Sequence, residues 1–261
     1  MVRRMKGRQR RNAIFEIVRR RGFVVVEVLA EHFNVSTQTI RRDIQQLCDA
    51  NLLVRHHGGA GLPSSIVKID YAAKRVACLA EKEAIAEAVA SYLPDNVSLF
   101  LSIGTTIEMV ARALLKRHRL KIITNNLHAA EILHAEAEFD VSVAGGTIRP
   151  HNGGIVGPQA TQFVEQHRAD YAVVGIGAVD PDGTLLDFYP DEVSIAQAMM
   201  RNGRQVLLVA DHTKFSRTAT VAQGSITDVS AVFTDSAPPA PIAGLLDEKG
   251  IEVVLCPAAR L

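Results

Sequence analysis

The sequence VSTQTIRRDIQQLCDANLLVRHHGGA, residues 35–60, carries the strongest structural signal in the chain. Ser36 is a good helix N-cap residue. The apolar residues Ile40, Ile44 and Leu47 follow with the i, i+4, i+7 spacing of one buried helix face. The opposite face holds hydrogen-bonding and cationic side chains of the kind that read base edges and phosphates, namely Thr37, Gln38, Arg41, Arg42 and Gln45. We therefore predict a helix that recognises DNA.

Two helices are predicted before this segment and a hairpin is predicted at its end. Arg10–Arg21 and the shorter Glu27–Phe33 both have apolar residues at helical spacing, and Asn34 ends the second helix. The strand-like run Leu52–Arg55 then leads into the glycine pair 58–59, the tip of a hairpin. This order predicts a helix-turn-helix followed by a wing. The residues expected to contact DNA are Ser36, Thr37, Gln38, Thr39, Arg41, Arg42, Arg55, His56 and His57.

The distribution of charge supports a nucleic-acid partner. A basic amphipathic helix taken alone is often only a solvated surface. However, residues 1–62 carry a net charge of +7 and the remaining residues −6, although the whole chain is at +1. A basic head on an acidic body places the phosphate-binding field at one end of the molecule.

Composition excludes several other classes of protein. The chain has 261 residues, 48% of them hydrophobic, and no apolar run approaches the ~18 residues that span a membrane. The basic N-terminus has no apolar stretch after it, so no secretory signal is expected. Cys48, Cys78 and Cys256 are scattered, which favours a reducing cytoplasm and no structural metal. We find no phosphate-binding GxxxxGK[ST] loop, and the Gly175-Ile-Gly177 sequence lacks the third glycine of a dinucleotide fingerprint.

The second part of the chain predicts an α/β domain. We expect a DNA-binding domain over 1–62, a linker over 63–80 around the turn-forming LPSS sequence, and an effector domain over 81–261. The predicted strands are Val97–Ile103, Leu120–Thr124, Phe139–Ala144, Tyr171–Ile176, Gln205–Ala210, Ala231–Thr234 and Glu252–Leu255. Helical patterns separate most of them, at Ile107–Lys116, Ala129–His134, Gln159–His167 and Val193–Asn202. Such alternation predicts a mostly parallel, Rossmann-like sheet with ligand-binding loops at the carboxyl ends of its strands.

Four polar loops follow predicted strands. They are SIGTT at 102–106, TNN at 124–126, AGG at 144–146 and ADHTKF at 210–215. Glycine amides and threonine hydroxyls at the start of a helix can bind an anion, and Lys214 can pair with a phosphate. Each loop taken alone could equally be a simple turn, but four loops at one sheet edge favour a polar, anion-binding pocket. Asp187 and Glu192 could form a carboxylate pair nearby, although capping or salt-bridge roles are more common for such residues.

Taken in order, these motifs together with EKEAIA at 81–86 resemble the DeoR family of bacterial transcription regulators, from about Gln9 to Cys256. The stretches RHHGGAGLPSS and DGTLLDF are most similar to members that regulate glycerol 3-phosphate metabolism. The resemblance implies a winged helix-turn-helix joined to a sensor domain similar to ribose-phosphate isomerase folds. From it we hypothesise a homo-oligomer that binds double-stranded operator DNA as a repressor. We expect no cofactor, no metal and no enzymatic activity.

The resemblance further implies an effector, which is a phosphorylated sugar or polyol such as glycerol 3-phosphate that releases the DNA. The effector site would comprise Gly104, Thr105, Thr106, Asn125, Asn126, Gly145, Gly146, Asp211 and Lys214. Lys82 and Arg75 lie in the family's approach segment and are further candidates for this site. Ser102 stands where the family usually has Asp, and the start of the second helix at Val25 and Val26 lacks the usual Ser or Thr cap.

Two other interpretations remain open from the sequence. The second domain could retain isomerase-like activity on a sugar phosphate, although the DNA-binding head and Ser102 argue against it. The protein could also be an architectural DNA-binding protein without a ligand, although the four strand-end loops argue against that.

Overall fold

The computed structural model describes residues 7–21, 23–49, 52–56, 58–61, 71–150 and 152–258. The chain divides into two compact units, Met1–Cys78 and Leu79–Leu261. Each is described separately below. None of the described helices is long and apolar enough to cross a membrane.

The first unit is a small helical head with a three-stranded antiparallel sheet of strand order β1-β3-β2. Its elements are α1 (Gly7–Arg21), β1 (Phe23–Val25), α2 (Val26–Phe33), α3 (Thr37–Asp49), β2 (Val54–His56), β3 (Gly59–Gly61) and α4 (Tyr71–Val76). The predicted three helices and wing hairpin are therefore confirmed. Residues 63–70 of the expected linker lie outside the described residues, whereas α4 packs against β1.

The apolar stripe predicted for the third helix forms the core of the head. Ile40, Ile44 and Leu47 are buried together with Ile14 and Leu29 from the two preceding helices. This core fixes α3 against α1 and α2, so that its opposite face remains at the surface.

Local chain geometry explains where the head's helices begin and end. Asn34 ends α2 in the left-handed conformation, with φ 49° and ψ 53°, which asparagine tolerates better than most residues. Ser36 Oγ accepts a hydrogen bond from the Thr39 backbone N–H at 3.3 Å, as expected of an N-cap. Val25 makes no side-chain cap hydrogen bond to α2, consistent with the missing Ser or Thr there.

A buried ion pair ties the first helix of the head to the third. Asp43, on α3, is only 4% exposed, and its carboxylate accepts a hydrogen bond from Arg10 Nε at 2.5 Å. Arg11 Nη1 lies 3.5 Å from the other carboxylate oxygen. These two α1 arginines therefore neutralise Asp43.

The second unit is a three-layer α/β domain. Its strands are β4 (Ser98–Leu101), β5 (Lys121–Thr124), β6 (Asp140–Val143), β7 (Thr147–Ile148), β8 (Ile155–Val156), β9 (Ala169–Gly175), β10 (Ala178–Val179), β11 (Thr184–Asp187), β12 (Gly203–Val209), β13 (Val221–Ser225), β14 (Ala231–Thr234) and β15 (Glu252–Leu255). Its helices are α5 (Leu79–Tyr92), α6 (Thr105–Leu114), α7 (Leu127–Leu133), α8 (Pro158–Glu165), α9 (Pro190–Asn202) and α10 (Ala240–Glu248). Two hydrophobic clusters occupy the two faces of the central sheet.

The central sheet has seven parallel strands in the order β15-β14-β12-β9-β4-β5-β6. All seven correspond to predicted strands, which confirms the predicted α/β class. From β4 the chain first proceeds outward to β5 and β6, and then returns to β9 on the other side of β4. The β4/β9 junction is therefore a topological switch point, where open α/β sheets bind their ligands beyond the carboxyl ends of the strands.

Two small antiparallel elements were not predicted from the sequence. One is the hairpin of β7 and β8, and the other is the three-stranded sheet β10-β11-β13. Their strands are mostly two to five residues long, too short for a clear alternating pattern.

Candidate functional sites

The outer face of α3 is polar, cationic and accessible. Gln38, Arg41 and Arg42 are exposed, and Ser36 before the helix is exposed as well. Thr37 and Thr39 are partly exposed at the amino end. In helix-turn-helix proteins, side chains at this end of the second helix reach base edges in the major groove.

The wing continues this surface through a contact with the helix. Arg55 is exposed on β2, and its Nη1 atom lies 3.5 Å from Gln45 Oε1 of α3. Arg41 Nη2 is 3.7 Å from Glu27 Oε1, and both side chains are about half exposed, so this pair is weak. His56 belongs to β2, whereas His57 lies outside the described residues. Hence Arg55 and the polar face of α3 form one surface.

At the switch point of the second unit, Ser102 joins two neighbouring strand ends. Its Oγ atom accepts a hydrogen bond from the Gly175 backbone N–H at 3.0 Å. A Cβ atom at Gly175 would lie 3.3 Å from the Ile103 carbonyl oxygen, so glycine permits this close approach. Ser102 is 4% exposed and serves here as a link within the protein.

The SIGTT loop places a helix amino terminus beside this junction. Gly104 precedes α6 with a φ of 132°, a conformation that favours glycine, and an added Cβ atom would meet only Ile107 Cγ1 at 4.0 Å. Thr105 and Thr106 are 8% and 6% exposed in the first turn. Open space at Gly104 and the positive end of the α6 dipole suit an anion.

The two asparagines of the TNN loop have different roles. Asn126 Oδ1 accepts hydrogen bonds from the backbone N–H groups of His128 and Ala129 and so caps α7. Its Nδ2 atom donates to the Ser102 carbonyl oxygen at 3.3 Å. Asn125 Nδ2 donates to the Ile155 carbonyl oxygen at 3.1 Å. Asn126 is thus fully engaged in shaping the loop, whereas Asn125 contacts the β7–β8 hairpin.

The glycines after β6 lead into that hairpin. Gly146 has a φ of 155°, and a Cβ atom there would lie 2.6 Å from the Val156 carbonyl oxygen. Glycine is therefore required at Gly146 for the hairpin to close. A Cβ atom at Gly145 would meet no atom within 4 Å, so Gly145 borders open space.

The ADHTKF loop forms a buried charged cluster. Asp211 is 2% exposed, and Lys214 Nζ lies 3.8 Å from its Oδ2 atom. Burial would raise the pKa of Asp211, but Lys214, a Thr213 hydrogen bond, Lys82 and Arg217 lower it to about 2. Three cationic side chains, Lys82, Lys214 and Arg217, therefore lie near enough to Asp211 to stabilise its carboxylate, and we refer to these four residues as the charged cluster.

A histidine in the same loop is held by the neighbouring strand end. Asp235 Oδ2 lies 2.6 Å from His212 Nδ1, and Asp235 Oδ1 accepts the His212 backbone N–H at 2.6 Å. The hydrogen bond to Asp235 raises the pKa of His212, burial opposes it, and the charges of Asp235, Asp211 and Glu81 raise it further. The pair anchors the loop between β12 and β14.

The β7–β8 hairpin is fastened to the amino end of α9. Arg149 contacts both carboxylate oxygens of Asp191, and its Nε atom lies 3.0 Å from Glu192 Oε1. The Arg149 guanidinium also stacks over the Tyr189 ring at 3.9 Å, and Asn152 Nδ2 donates to Glu192 Oε1 at 2.9 Å. Glu192 therefore has a salt-bridge role. Asp187 Oδ1 accepts a hydrogen bond from the Phe188 backbone N–H, so the structure gives no carboxylate pair between Asp187 and Glu192.

The four predicted loops all lie at the carboxyl edge of the same sheet, at the ends of β4, β5, β6 and β12. Adjacent strands are about 4.8 Å apart, so the ends of β5 and β12, separated by β4 and β9, lie within about 15 Å. Lys82 joins the cluster at β12, whereas Arg75 is exposed on α4 of the other unit. Among the described residues, no group of three or more His, Cys, Asp or Glu could hold a metal ion.

Several residues of this edge had only weak sequence signals. Lys82 and Glu108 are charged residues that are 3% and 0% exposed on helices α5 and α6. A charged residue within an apolar stripe is the only sign of such burial. Arg217 and Arg149 lie in irregular or short segments, and their roles depend on contacts that are distant in sequence.

Sequence comparisons agree with both units. Residues 10–66 match the DeoR-like helix-turn-helix domain, and residues 78–236 match the DeoR C terminal sensor domain. The chain belongs to the DeoR family. It is therefore a DNA-binding transcriptional regulator and not an enzyme, and the DeoR-family resemblance of the sequence is confirmed.

Relatives of similar length are named as repressors. The HTH-type transcriptional repressor CsqR of Escherichia coli K12 is 46% identical over 96% of this chain and 96% of the relative. The glycerol-3-phosphate regulon repressor of the same organism is 46% identical over 97% of this chain and 100% of the relative. The protein of that name from Haemophilus influenzae is 43% identical over 97% of this chain and 98% of the relative.

Similarity to solved structures is remote. A translation initiation factor eIF-2B from Pyrococcus horikoshii OT3 has a TM-score of 0.48 and 14% identity, covering 88% of this chain and 82% of that chain. A D-ribose-5-phosphate isomerase in complex with phospho-erythronic acid has a TM-score of 0.39 and 13% identity, covering 51% of this chain and 52% of that chain.

Proposed function

We propose that this DeoR-family regulator represses genes of glycerol 3-phosphate or related sugar-phosphate metabolism, and that a phosphorylated effector releases it from its operator. The observation that carries the proposal is the ion pair of Lys214 Nζ with buried Asp211 at 3.8 Å, beside buried Lys82, at the carboxyl edge of the sheet. Relatives of nearly equal length that are named glycerol-3-phosphate regulon repressors support the choice of effector.

The charge of the cluster suits a phosphate monoester. Lys82, Lys214 and Arg217 all act on the Asp211 carboxylate, so cationic side chains are concentrated at this strand end. A phosphate monoester carries about −1.5 to −2 charge at pH 7 and would be attracted to them. The Gly104 loop lies two strands from β12 and can supply backbone N–H groups to the same ligand.

DNA binding is assigned to the outer face of α3 and to the wing. Gln38, Arg41 and Arg42 would enter the major groove, and Arg55 would contact the backbone beside it. We infer a homo-oligomer that presents paired heads to an inverted-repeat operator, as expected for helix-turn-helix proteins of this kind. Such a regulator would act in the cytoplasm, where bacterial DNA is found.

Effector release requires different effector affinities in two states of the protein. The effector can weaken operator binding only by as much as it prefers the state that does not bind DNA. A tenfold weakening corresponds to about 1.4 kcal/mol of coupling free energy.

The proposal can be tested by ligand-dependent thermal unfolding of the full chain. Glycerol 3-phosphate, fructose phosphates, inorganic phosphate and uncharged glycerol would be titrated separately. A rise in Tm with glycerol 3-phosphate and none with glycerol would support a phosphorylated polyol effector. A selective rise with a fructose phosphate would retain the regulator and change its pathway. No rise with any phosphate would contradict the assignment of the site.

A further inference from the structure

An open groove lies between helices α5 and α6, on one face of the central sheet. It has a volume of about 340 Å³, and the residues that line it are Glu83, Ala86, Glu87, Met109, Arg112 and Ala113. Lys116 Nζ, on α6, donates to Glu87 Oε1, on α5, at 2.6 Å and so links the two helices. The preceding turns of the same helices carry Glu83 and Arg112 on the groove, so α5 and α6 are parallel.

The two sides of this groove carry opposite charges. Glu83 and Glu87 are exposed on α5, whereas Arg112 is exposed on α6. Within the part of the chain that the structure describes, the side chains of Glu83 and Arg112 form no ion pair or hydrogen bond, either with each other or with a third residue. The open space of the groove separates them. Its acidic and basic sides are therefore left available to a partner.

The surface between the two charged sides is apolar. Ala86 and Ala113 line the groove with small, buried side chains, and Met109 is partly exposed beside them. Methionine is flexible and adapts to irregular contacts. Leu115, at the end of α6, is 42% exposed. Apolar surface bordered by charged residues suits a protein–protein contact, in which burial supplies affinity and the charges fix the orientation.

We propose that two copies of this chain associate through the α5–α6 groove, about a two-fold axis directed along the groove. The inference rests on the homo-oligomer of the proposed function and identifies the surface that forms it. Such an axis places α5 of one copy against α6 of the other. Glu83 of each copy then faces Arg112 of the other at the same level, because rotation about the axis does not change the position along it. Each pair occurs twice, as a two-fold contact requires.

Charge and chain connectivity both favour this direction of the axis over one across the groove. An axis across the groove would place α5 against α5, with Glu83 and Glu87 opposite their own copies, and like charges in opposition weaken association. In addition, α5 begins at Leu79, directly after the unit that ends at Cys78. An axis along the groove makes the two α5 helices parallel, so both heads are joined to the same end of the pair. Two heads at one end suit the two half-sites of a single duplex.

The test is reversal of charge in the full chain, with self-association measured by sedimentation velocity. Arg112→Glu makes both sides of the groove acidic, and Glu83→Arg places an arginine on both sides. Each variant alone should self-associate at least about tenfold more weakly than the wild-type protein, because each substitution acts twice in a two-fold contact. In an equimolar mixture, the acidic groove of one variant meets the basic groove of the other, and association should return to within about threefold of wild type.

The matched control is Arg201→Glu, which reverses an exposed arginine of α9, on the other face of the sheet, and should associate as wild type. Recovery in the mixture supports the proposal, because mixing repairs neither a folding defect nor a purely structural role. Wild-type association of both single variants would overturn the groove as the contact and leave the homo-oligomer intact. Weak association that the mixture does not restore would overturn it as well. A wild-type protein that stays monomeric at every concentration would overturn the proposed homo-oligomer itself.

Discussion

Lys214 Nζ lies 3.8 Å from Asp211 Oδ2 within one turn of a 3-10 helix, and both side chains are largely buried at the carboxyl edge of the sheet. Lys82 and Arg217 add two further positive charges to the surroundings of the same carboxylate. These cationic side chains at the carboxyl edge of the sheet are the structural basis for expecting an anionic ligand.

The low pKa of Asp211 predicts a loss of stability in acid. Its folded pKa of about 2 lies below the ordinary value of 3.8, so ionised Asp211 stabilises the fold above pH 3.8. The contribution is about 2 kcal/mol, and it is lost as the pH falls from about 4 towards 2. Urea unfolding of Asp211→Asn should show a smaller decrease across this range than the wild-type protein. Glu248→Gln, an exposed control, should keep the wild-type decrease.

Asp211→Asn should also make the protein more responsive to phosphate. Asn is neutral, so this substitution removes one negative charge from the surroundings of Lys82, Lys214 and Arg217. Inorganic phosphate should therefore raise the Tm of the variant more than that of the wild-type protein. An equal rise in both proteins would show that phosphate binds elsewhere.

Lys214→Ala should separate effector response from DNA binding. Lys214 belongs to the charged cluster, whereas the residues assigned to DNA lie in the other unit. Operator affinity measured by fluorescence anisotropy should stay within about twofold of wild type, and glycerol 3-phosphate should no longer reduce it. Lys249→Ala removes an exposed lysine as a control and should respond normally. A normal response in Lys214→Ala would remove Lys214 from the effector site.

Arg42→Ala should weaken DNA binding without changing effector binding. Arg42 is exposed on the outer face of α3. Loss of a base contact by such an arginine weakens binding by about 1–3 kcal/mol. Loss of a phosphate contact reduces the slope of log affinity against log salt concentration by about one. Salt titrations of operator binding distinguish the two contacts. Arg204→Ala, on the second unit and 79% exposed, should bind as wild type. Unchanged affinity and salt dependence in Arg42→Ala would exclude it from the interface.

Asp43→Ala should destabilise the head by roughly 3 kcal/mol, because it leaves Arg10 partly buried without its carboxylate. Chemical unfolding of the full chain, followed together with DNA binding, should show an early transition of the head. Glu31→Ala, at an exposed position of α2, serves as the control. If the free energy of unfolding of the head falls by less than about 0.5 kcal/mol, the buried ion pair contributes little to its stability.

The sequence predicted most of the architecture because the decisive patterns are local. The stripe of Ile40, Ile44 and Leu47 and the cap at Ser36 define α3 without knowledge of distant contacts. Apolar runs similarly marked all seven strands of the parallel sheet. Parallel topology then places every strand-end loop at one edge.

The parts that escaped prediction depend on contacts between distant segments. Arg149 meets Asp191 and Glu192 across more than forty positions, and the short hairpin that carries it has little periodicity. The sequence offers Lys82 only as a further candidate, whereas its burial near Asp211 makes it part of the charged cluster. The different roles of Asn125 and Asn126 likewise depend on the hairpin at Ile155.

The central claim is that a phosphorylated polyol releases this regulator from DNA through the site at the sheet edge. The most direct measurement is binding of the full chain to an operator selected from random duplexes, with increasing glycerol 3-phosphate. We predict at least a tenfold loss of operator affinity in the wild-type protein, and none in Lys214→Ala. If glycerol 3-phosphate and the other sugar phosphates leave operator affinity unchanged in the wild-type protein, the account is contradicted.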